Sequence, residues 1–168
     1  MKIVVVSDSH GVNANVRYAI GQEAPFDILV HCGDIGSNIG AILGDKRDYD
    51  LIAVRGNCDN LSIYPETQFF KAQNLNVFVA HGHHYNVKYS LDSLMEEARR
   101  RMADIVLFGH SHVPEMGYTD DGIFYLNPGS VAIPHQASHK KTYAVLTIED
   151  NIPEAVIKTL PDDIPANW

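Results

Sequence analysis

The sequence predicts an α/β fold in which two mixed β-sheets pack face to face with helices outside. Two observations predict it. Five short apolar runs, rich in Val, Ile and Leu, each end in a polar cluster containing glycine, and helical stretches alternate with the early ones. After residue 112 the pattern changes to strand-like segments paired through tight turns. Alternation favours parallel strands with helical crossovers, and hairpins add antiparallel strands, so a mixed, layered core follows. A length of 168 residues suits one continuous core, so residues 1–168 are read as a single domain.

Taken in order, "KIVVVS" (2–7) is the first strand, ending in Asp8-Ser9-His10-Gly11, and residues 12–22 can form a helix. "DILVHC" (27–32) ends in Gly33-Asp34, and "DLIAVR" (50–55) ends in Gly56-Asn57-Cys58-Asp59. "LNVFVA" (75–80) ends in His81-Gly82-His83-His84. The clearest helix runs from about Ser90 to Met102, where Leu91, Leu94, Met95, Ala98 and Met102 share one face at helical spacing. Glu96 with Arg100 and Glu97 with Arg101 are i,i+4 pairs on the other face, so the triplet Arg99-Arg100-Arg101 reads as a solvated helix surface before it reads as a phosphate contact. "DIVLF" (104–108) ends in Gly109-His110-Ser111-His112. Asp120-Asp121-Gly122 is a turn between two strand-like segments, and Asp150-Asn151 joins "TYAVLTIE" to "PEAVIKTL" as a hairpin.

Hydrophobic content of 45% and charged content of 20% are those of an ordinary globular protein. No apolar run approaches the roughly 18 residues of a membrane span, and "IVVV" is too short for a signal peptide. The two cysteines, Cys32 and Cys58, make no disulfide framework, and a cytoplasmic, reducing compartment is the simplest expectation. A net charge of −8 argues against general binding to a nucleic-acid backbone. His31 and Cys32 lie within a strand and are expected in the core. His135 and His139 read first as an ordinary surface loop, with rimming the pocket or contacting a neighbouring subunit as the alternative, and His84 as simply exposed. Tyr85 and Tyr89 either flank a substrate ring or pack at a helix start, and "NPGS" (127–130) could shape the site wall but is first a turn.

Ligands of open α/β sheets bind beyond the carboxyl ends of the strands, where all five polar clusters fall. The donors gathered there are Asp8, His10, Asp34, Asn57, His81, His110 and His112. Oxygen and nitrogen donors of this kind suit borderline divalent metals, and the absence of a CxxC pair disfavours a zinc-thiolate site. Seven donors are too many for one metal that must also leave room for substrate. Two metals fit better, and a two-metal site clamps the attacking and leaving oxygens of an in-line displacement. Hydrolysis of a phosphate ester is the natural use.

The motifs "DSH", "GD", "GNCD", "HGH" and "GHSH", in this order, resemble those of the calcineurin-like metallophosphoesterase superfamily. The short chain, "GNCD" and "NPGS" look like its small prokaryotic branch, the YfcE-type phosphodiesterases. The resemblance implies a four-layer αββα sandwich and a pair of divalent metal ions, with Mn expected first and Ni, Co, Zn, Fe or Mg as alternatives. It implies that Asp8, His10 and His112 hold one metal, that Asn57, His81 and His110 hold the other, and that Asp34 bridges both opposite a hydroxide that attacks phosphorus. Many family members have His where this chain has Cys58, and that His contacts the phosphate and helps protonate the leaving group. A thiol is a poor acid near neutrality, so Cys58 reads as a replaced general acid and not as a nucleophile. Asp59 would orient its neighbour, and His83 would donate to the phosphate or take over as acid. A small phosphodiester is the expected substrate. The alternatives are a phosphomonoesterase or nuclease of the same superfamily, or a catalytically weak binding module such as the retromer subunit that keeps this fold as a scaffold. Members of the branch often form homodimers or homotetramers, and no membrane partner is expected.

Overall fold

A computed structural model describes residues 1–44, 46–60, 63–166 and 168. The chain runs β1 (Lys2–Val6), α1 (Asn13–Glu23), β2 (Ile28–His31), α2 (Ile39–Leu43), β3 (Asp50–Ala53), β4 (Thr67–Ala72), β5 (Leu75–Ala80), α3 (Asp92–Arg100), β6 (Ile105–Leu107), β7 (Glu115–Tyr118), β8 (Phe124–Asn127), β9 (Thr142–Glu149) and β10 (Ile152–Thr159). One five-stranded sheet has the order β10-β9-β1-β2-β3 and the other β4-β5-β6-β8-β7. Strands β1, β2 and β3 are parallel, as are β5, β6 and β8, and the remaining pairings are antiparallel. Both sheets are therefore mixed, as predicted.

Alternation along the strands builds the layers. Ile3, Val5, Ile28 and Val30 of the first sheet meet Val77, Val79, Ile105 and Leu107 of the second in a continuous apolar interface. The opposite face of the first sheet, with Val4, Val6 and Leu29, packs on Val16 and Ala19 of α1 and Ile39 of α2. Phe78, Ala80 and Val106 on the outer face of the second sheet pack on Leu94, Met95 and Ala98 of α3. The result is the four-layer αββα sandwich. Strands buried on both faces explain why their sequences read as uninterrupted apolar runs.

Three elements differ from the sequence reading. Strand β4 escaped notice because it lies at a sheet edge, where Thr67, Gln68 and Lys71 break the apolar pattern and Phe69 is exposed. Helix α2 has only five residues, too few for a periodic signal, and is started by Asn38, whose side chain accepts from the Ala41 N–H. Helix α3 stops at Arg100, so Met102 does not extend its apolar face: it has a left-handed φ of 54° and is exposed. The basic triplet is a solvated surface as expected. Arg99 pairs with Asp121, and Arg100 and Arg101 both pair with Glu97.

Glu23, at the end of α1, has a side chain only 4% exposed and accepts from Tyr143 Oη at 2.7 Å and Lys158 Nζ at 2.7 Å, with Lys2 Nζ at 3.1 Å. Burial pushes its carboxyl up, but these three donors outweigh burial and hold it below its ordinary 4.5. A carboxyl depressed in the folded state stabilises above its unfolded pKa, and the gain is lost as pH falls through the folded value. Glu23→Gln is therefore expected to cost about 1–3 kcal/mol near neutrality. The gap from the parent should shrink in urea melts below about pH 4. A gap that stays constant across that range would contradict the role of the charge.

Candidate metal centre

The parallel strands β1, β2 and β3 of one sheet and β5 and β6 of the other deliver their carboxyl-terminal loops to one place. Asp8 and His10 follow β1, Asp34 follows β2, Asn57 follows β3, His81 follows β5, and His110 and His112 follow β6. One donor atom from each of Asp8, His10, Asp34 and His112 lies within 4.8 Å of the others. His81 Nε2 adds itself at 3.5 Å from Asp34 Oδ2 and 3.9 Å from Asp8 Oδ1. The His110 ring stands 5.0 Å from the His81 ring, and its backbone N–H donates to Asp8 Oδ2 at 3.1 Å.

Neighbouring carbonyls set the tautomers. His81 Nδ1 lies 2.7 Å from Cys32 O, and His112 Nδ1 lies 2.6 Å from Ile133 O. A carbonyl only accepts, so each Nδ1 carries a proton and each ring turns its Nε2 toward the carboxylates. His112 Nε2 approaches Asp8 Oδ1 to 3.0 Å, yet Asp8 Oδ1, His10 Nε2 and His81 Nε2 are buried without a hydrogen-bond partner among the described residues. Buried polar atoms left in this way are costly, and divalent cations held among them would satisfy them. The donor set therefore fits divalent metal ions.

Charge in the cluster is mutually dependent. Burial pushes the Asp8 carboxyl up, but His112, the charge of His81 and the Ser7 hydroxyl at 2.5 Å hold it below the usual range. Asp34 is likewise raised by burial but held far lower by His81 and the Cys58 N–H. Burial lowers His81 and His112, and the adjoining carboxylates more than offset it. His110 is pushed down to about 4 by burial, by His81 and by Lys88.

The main chain enforces this geometry. Asp8, His10, Asp34, His110 and His112 all have left-handed φ, between 45° and 69°. Such conformations are unfavourable for non-glycine residues and persist where the surrounding structure over-determines them, which is common at functional sites. Gly33, with φ +99°, permits a tight approach, because a Cβ there would lie 2.6 Å from His81 Nδ1. A Cβ on Gly56 would run into the Asp34 carboxylate.

The profile of the calcineurin-like phosphoesterase superfamily domain matches residues 1–151. This chain belongs to that superfamily. It is 31% identical over 152 residues to a probable metallophosphoesterase, YsnB, of Bacillus subtilis, covering 90% of this chain and 86% of the relative. It is 32% identical over 106 residues to the phosphodiesterase YfcE of Escherichia coli, covering 58% of this chain and 53% of that one. Among solved structures, a conserved uncharacterized Streptococcus pneumoniae protein described as a predicted phosphoesterase superposes with a TM-score of 0.82 at 28% identity, covering 94% and 88% of the two chains. Vps29 of Entamoeba histolytica, in complex with zinc, shares the fold at a TM-score of 0.76 and 20% identity, covering 96% and 94%.

In this chain the "GNCD" segment is tied to the centre mainly by backbone. The Cys58 N–H donates to Asp34 Oδ1 at 2.8 Å. The Cys58 thiol is exposed, and burial and Asp34 raise it above its ordinary value, which disfavours a thiolate. Asp59 accepts from the Gly56 and Gly36 N–H groups, both at 2.8 Å, and so clamps two loops together. Asn57 is exposed and its amide donates to Cys58 Sγ at 3.4 Å. His83 sits 5.3 Å from His81 and 6.1 Å from His110, ring to ring, and burial with His84 and His81 holds it neutral. A neutral ring suits N–H donation to a phosphate better than acid catalysis.

Several supporting residues were not read from the sequence. His31 is more than core filling: Nδ1 accepts from the Gly33 N–H and Nε2 meets Ser9 Oγ at 2.9 Å, and burial pushes the ring down to about 4, so it is neutral. The alternative reading of "NPGS", as part of the site wall, fits its contacts. Asn127 donates to Gly109 O and Ser111 Oγ, and Ser130 Oγ donates to Asp8 O at 2.8 Å. His135 is an exposed loop residue, as expected, and its ring also stacks on His112 at 4.4 Å, at the rim of the centre. Tyr85 packs edge-on against Phe78, whereas Tyr89 is 86% exposed and does not pack. His84 and His139 are exposed as expected, and His84 faces Glu66 at 3.4 Å.

Proposed function

We propose that this chain is a metal-dependent phosphodiesterase. The observation that carries the reading is the convergence of Asp8, His10, Asp34, His81 and His112 with buried, unpartnered donor atoms. Asp8, His10 and His112 would hold one divalent cation, Asn57, His81 and His110 the other, and Asp34 would bridge the two. When bound, such a pair supplies a water-derived nucleophile near neutral pH and neutralises phosphoryl oxygens. The chain's own residues orient this chemistry. The carbonyls of Cys32 and Ile133 fix two imidazoles, Asp59 holds the loop that presents Asn57, and the Cys58 N–H steadies Asp34. His83 would donate to the bound phosphate. A diester is favoured over a monoester because no imidazole stands at position 58 to meet the second charge and protonate a poor leaving group. The name of the YfcE relative, a phosphodiesterase, supports the same choice.

The test is hydrolysis of bis(p-nitrophenyl) phosphate and p-nitrophenyl phosphate by metal-stripped protein, alone and with Mn²⁺, Ni²⁺, Co²⁺, Zn²⁺ or Mg²⁺. Metal-dependent cleavage that favours the diester is expected, with Mn²⁺ effective. Absence of turnover despite bound metal would instead support a binding module on this fold. Because the contribution of residue 58 is its backbone N–H, Cys58→Ala should keep diester activity within about threefold, whereas Asn57→Ala should remove it. Loss of activity in Cys58→Ala with unchanged metal content would show that the thiol itself takes part.

A further inference from the structure

The segment 130–135, which follows β8, grips two ligand loops at once. Ser130 Oγ donates to Asp8 O at 2.8 Å and accepts from the Ala132 and Ile133 N–H groups at 3.1 and 2.8 Å. The Val131 N–H donates to Ser7 O at 3.2 Å, and Val131 O accepts from Asn15 Nδ2 of α1 at 2.6 Å. Further along, Ile133 O accepts from His112 Nδ1 at 2.6 Å, and the His135 N–H donates to His112 O at 3.2 Å. His135 is exposed, yet its main chain is seated on the centre.

The ring of His135 completes this seat. Its plane lies 16° from that of His112, with the centroids 4.4 Å apart. Among the described residues this is the one near-parallel ring pair, and every other is inclined by 33° or more. Flat rings in such contact attract and resist tilting against each other. The protein therefore lays an exposed imidazole on a buried one that belongs to the donor cluster.

Aiming a ring nitrogen takes more than one restraint. The hydrogen bond to Ile133 O fixes the Nδ1 corner of His112 but leaves the ring free to tilt about the N–H···O line. Nε2 lies off that line, so tilting swings it away from Asp8 Oδ1, which it approaches to 3.0 Å. A flat ring laid on the imidazole face stops the tilt. His10, at 5.3 Å and 44°, is too inclined to do so. His81 has a wall of main chain instead, because Gly33 passes so close that a Cβ there would lie 2.6 Å from His81 Nδ1. We infer that His135 is a positioning residue: its ring sets the plane of His112 and with it the affinity of the Asp8, His10 and His112 half of the centre for a cation. The inference rests on the metal-binding reading above.

The test is isothermal titration of Mn²⁺ into metal-stripped wild type, His135→Ala and His135→Phe. The visible spectrum with Co²⁺ and the thermal melt of the stripped protein are recorded for each. Wild type should take up two ions per chain. His135→Ala should weaken one of them about tenfold and alter its Co²⁺ band, while the other stays within about twofold. His135→Phe keeps a flat ring without a polar atom and should restore both affinity and band. The melts of the stripped proteins should coincide, because residue 135 is exposed. Unchanged affinities in His135→Ala, equal weakening of both ions, a His135→Phe variant as weak as His135→Ala, or a loss of affinity matched by a lowered melt would each overturn the inference. Wild type that takes up no divalent cation would overturn the metal-centre reading together with it, whereas normal uptake indifferent to residue 135 would overturn this inference alone.

Discussion

Replacing Asp34 by Asn is expected to lower metal-dependent diester hydrolysis by on the order of a thousandfold or more, with the fold intact. Asp34 is 2% exposed, sits 3.5 Å from His81 and 3.9 Å from His10, and accepts the Cys58 N–H. Its carboxylate is thus the hub between the loops of both sheets. An amide keeps the shape and the acceptor oxygen but removes the charge that would hold two cations together. Measured side by side, kcat/KM and bound metal should fall together while the thermal melt shifts little. A variant that keeps full activity would remove Asp34 from the centre and with it the two-metal reading.

Gly56→Ala should be nearly as damaging by a different route. Its Cβ would fall 2.5 Å from the Asp34 backbone nitrogen and closer still to the carboxylate, both rigidly held. Overpacking of this kind costs about 1–3 kcal/mol. The forced shift moves Asp34 and the Asn57-bearing loop apart, and a displacement near 1 Å lowers activity on the order of a hundredfold. Stability from urea melts and kcat/KM from the diester assay check the two halves of this expectation. Wild-type behaviour in both would mean that the loop relaxes freely, contrary to the clamp formed by Asp59.

Much of this site was legible because strands buried on two faces leave long apolar runs, and the runs end where polar residues must begin. That logic located Asp8, Asp34, His81 and His110 from local pattern alone. What stayed hidden depends on partners far away in the chain. Ser130 supports Asp8 across 122 positions, and Asn127 reaches Gly109 and Ser111 from the next strand. His31 looked like core filling because burial was evident, but its two hydrogen bonds were not. The stacking of His135 on His112 depends on how the loop after Ser130 folds back, and no periodicity reports that. Strand β4 and helix α2 were missed for the opposite reason, since an edge strand and a five-residue helix have weak local patterns.

The donor atoms of the centre all stand on loops beyond the strand ends, while the sandwich is held by three aliphatic and aromatic layers that include none of them. This division has a consequence for descent. A lineage can lose its ligands by single substitutions, without dismantling the body that displays them, and the exposed surfaces remain free to acquire another use. Chemistry here is a detachable trait, and architecture is the heritable one.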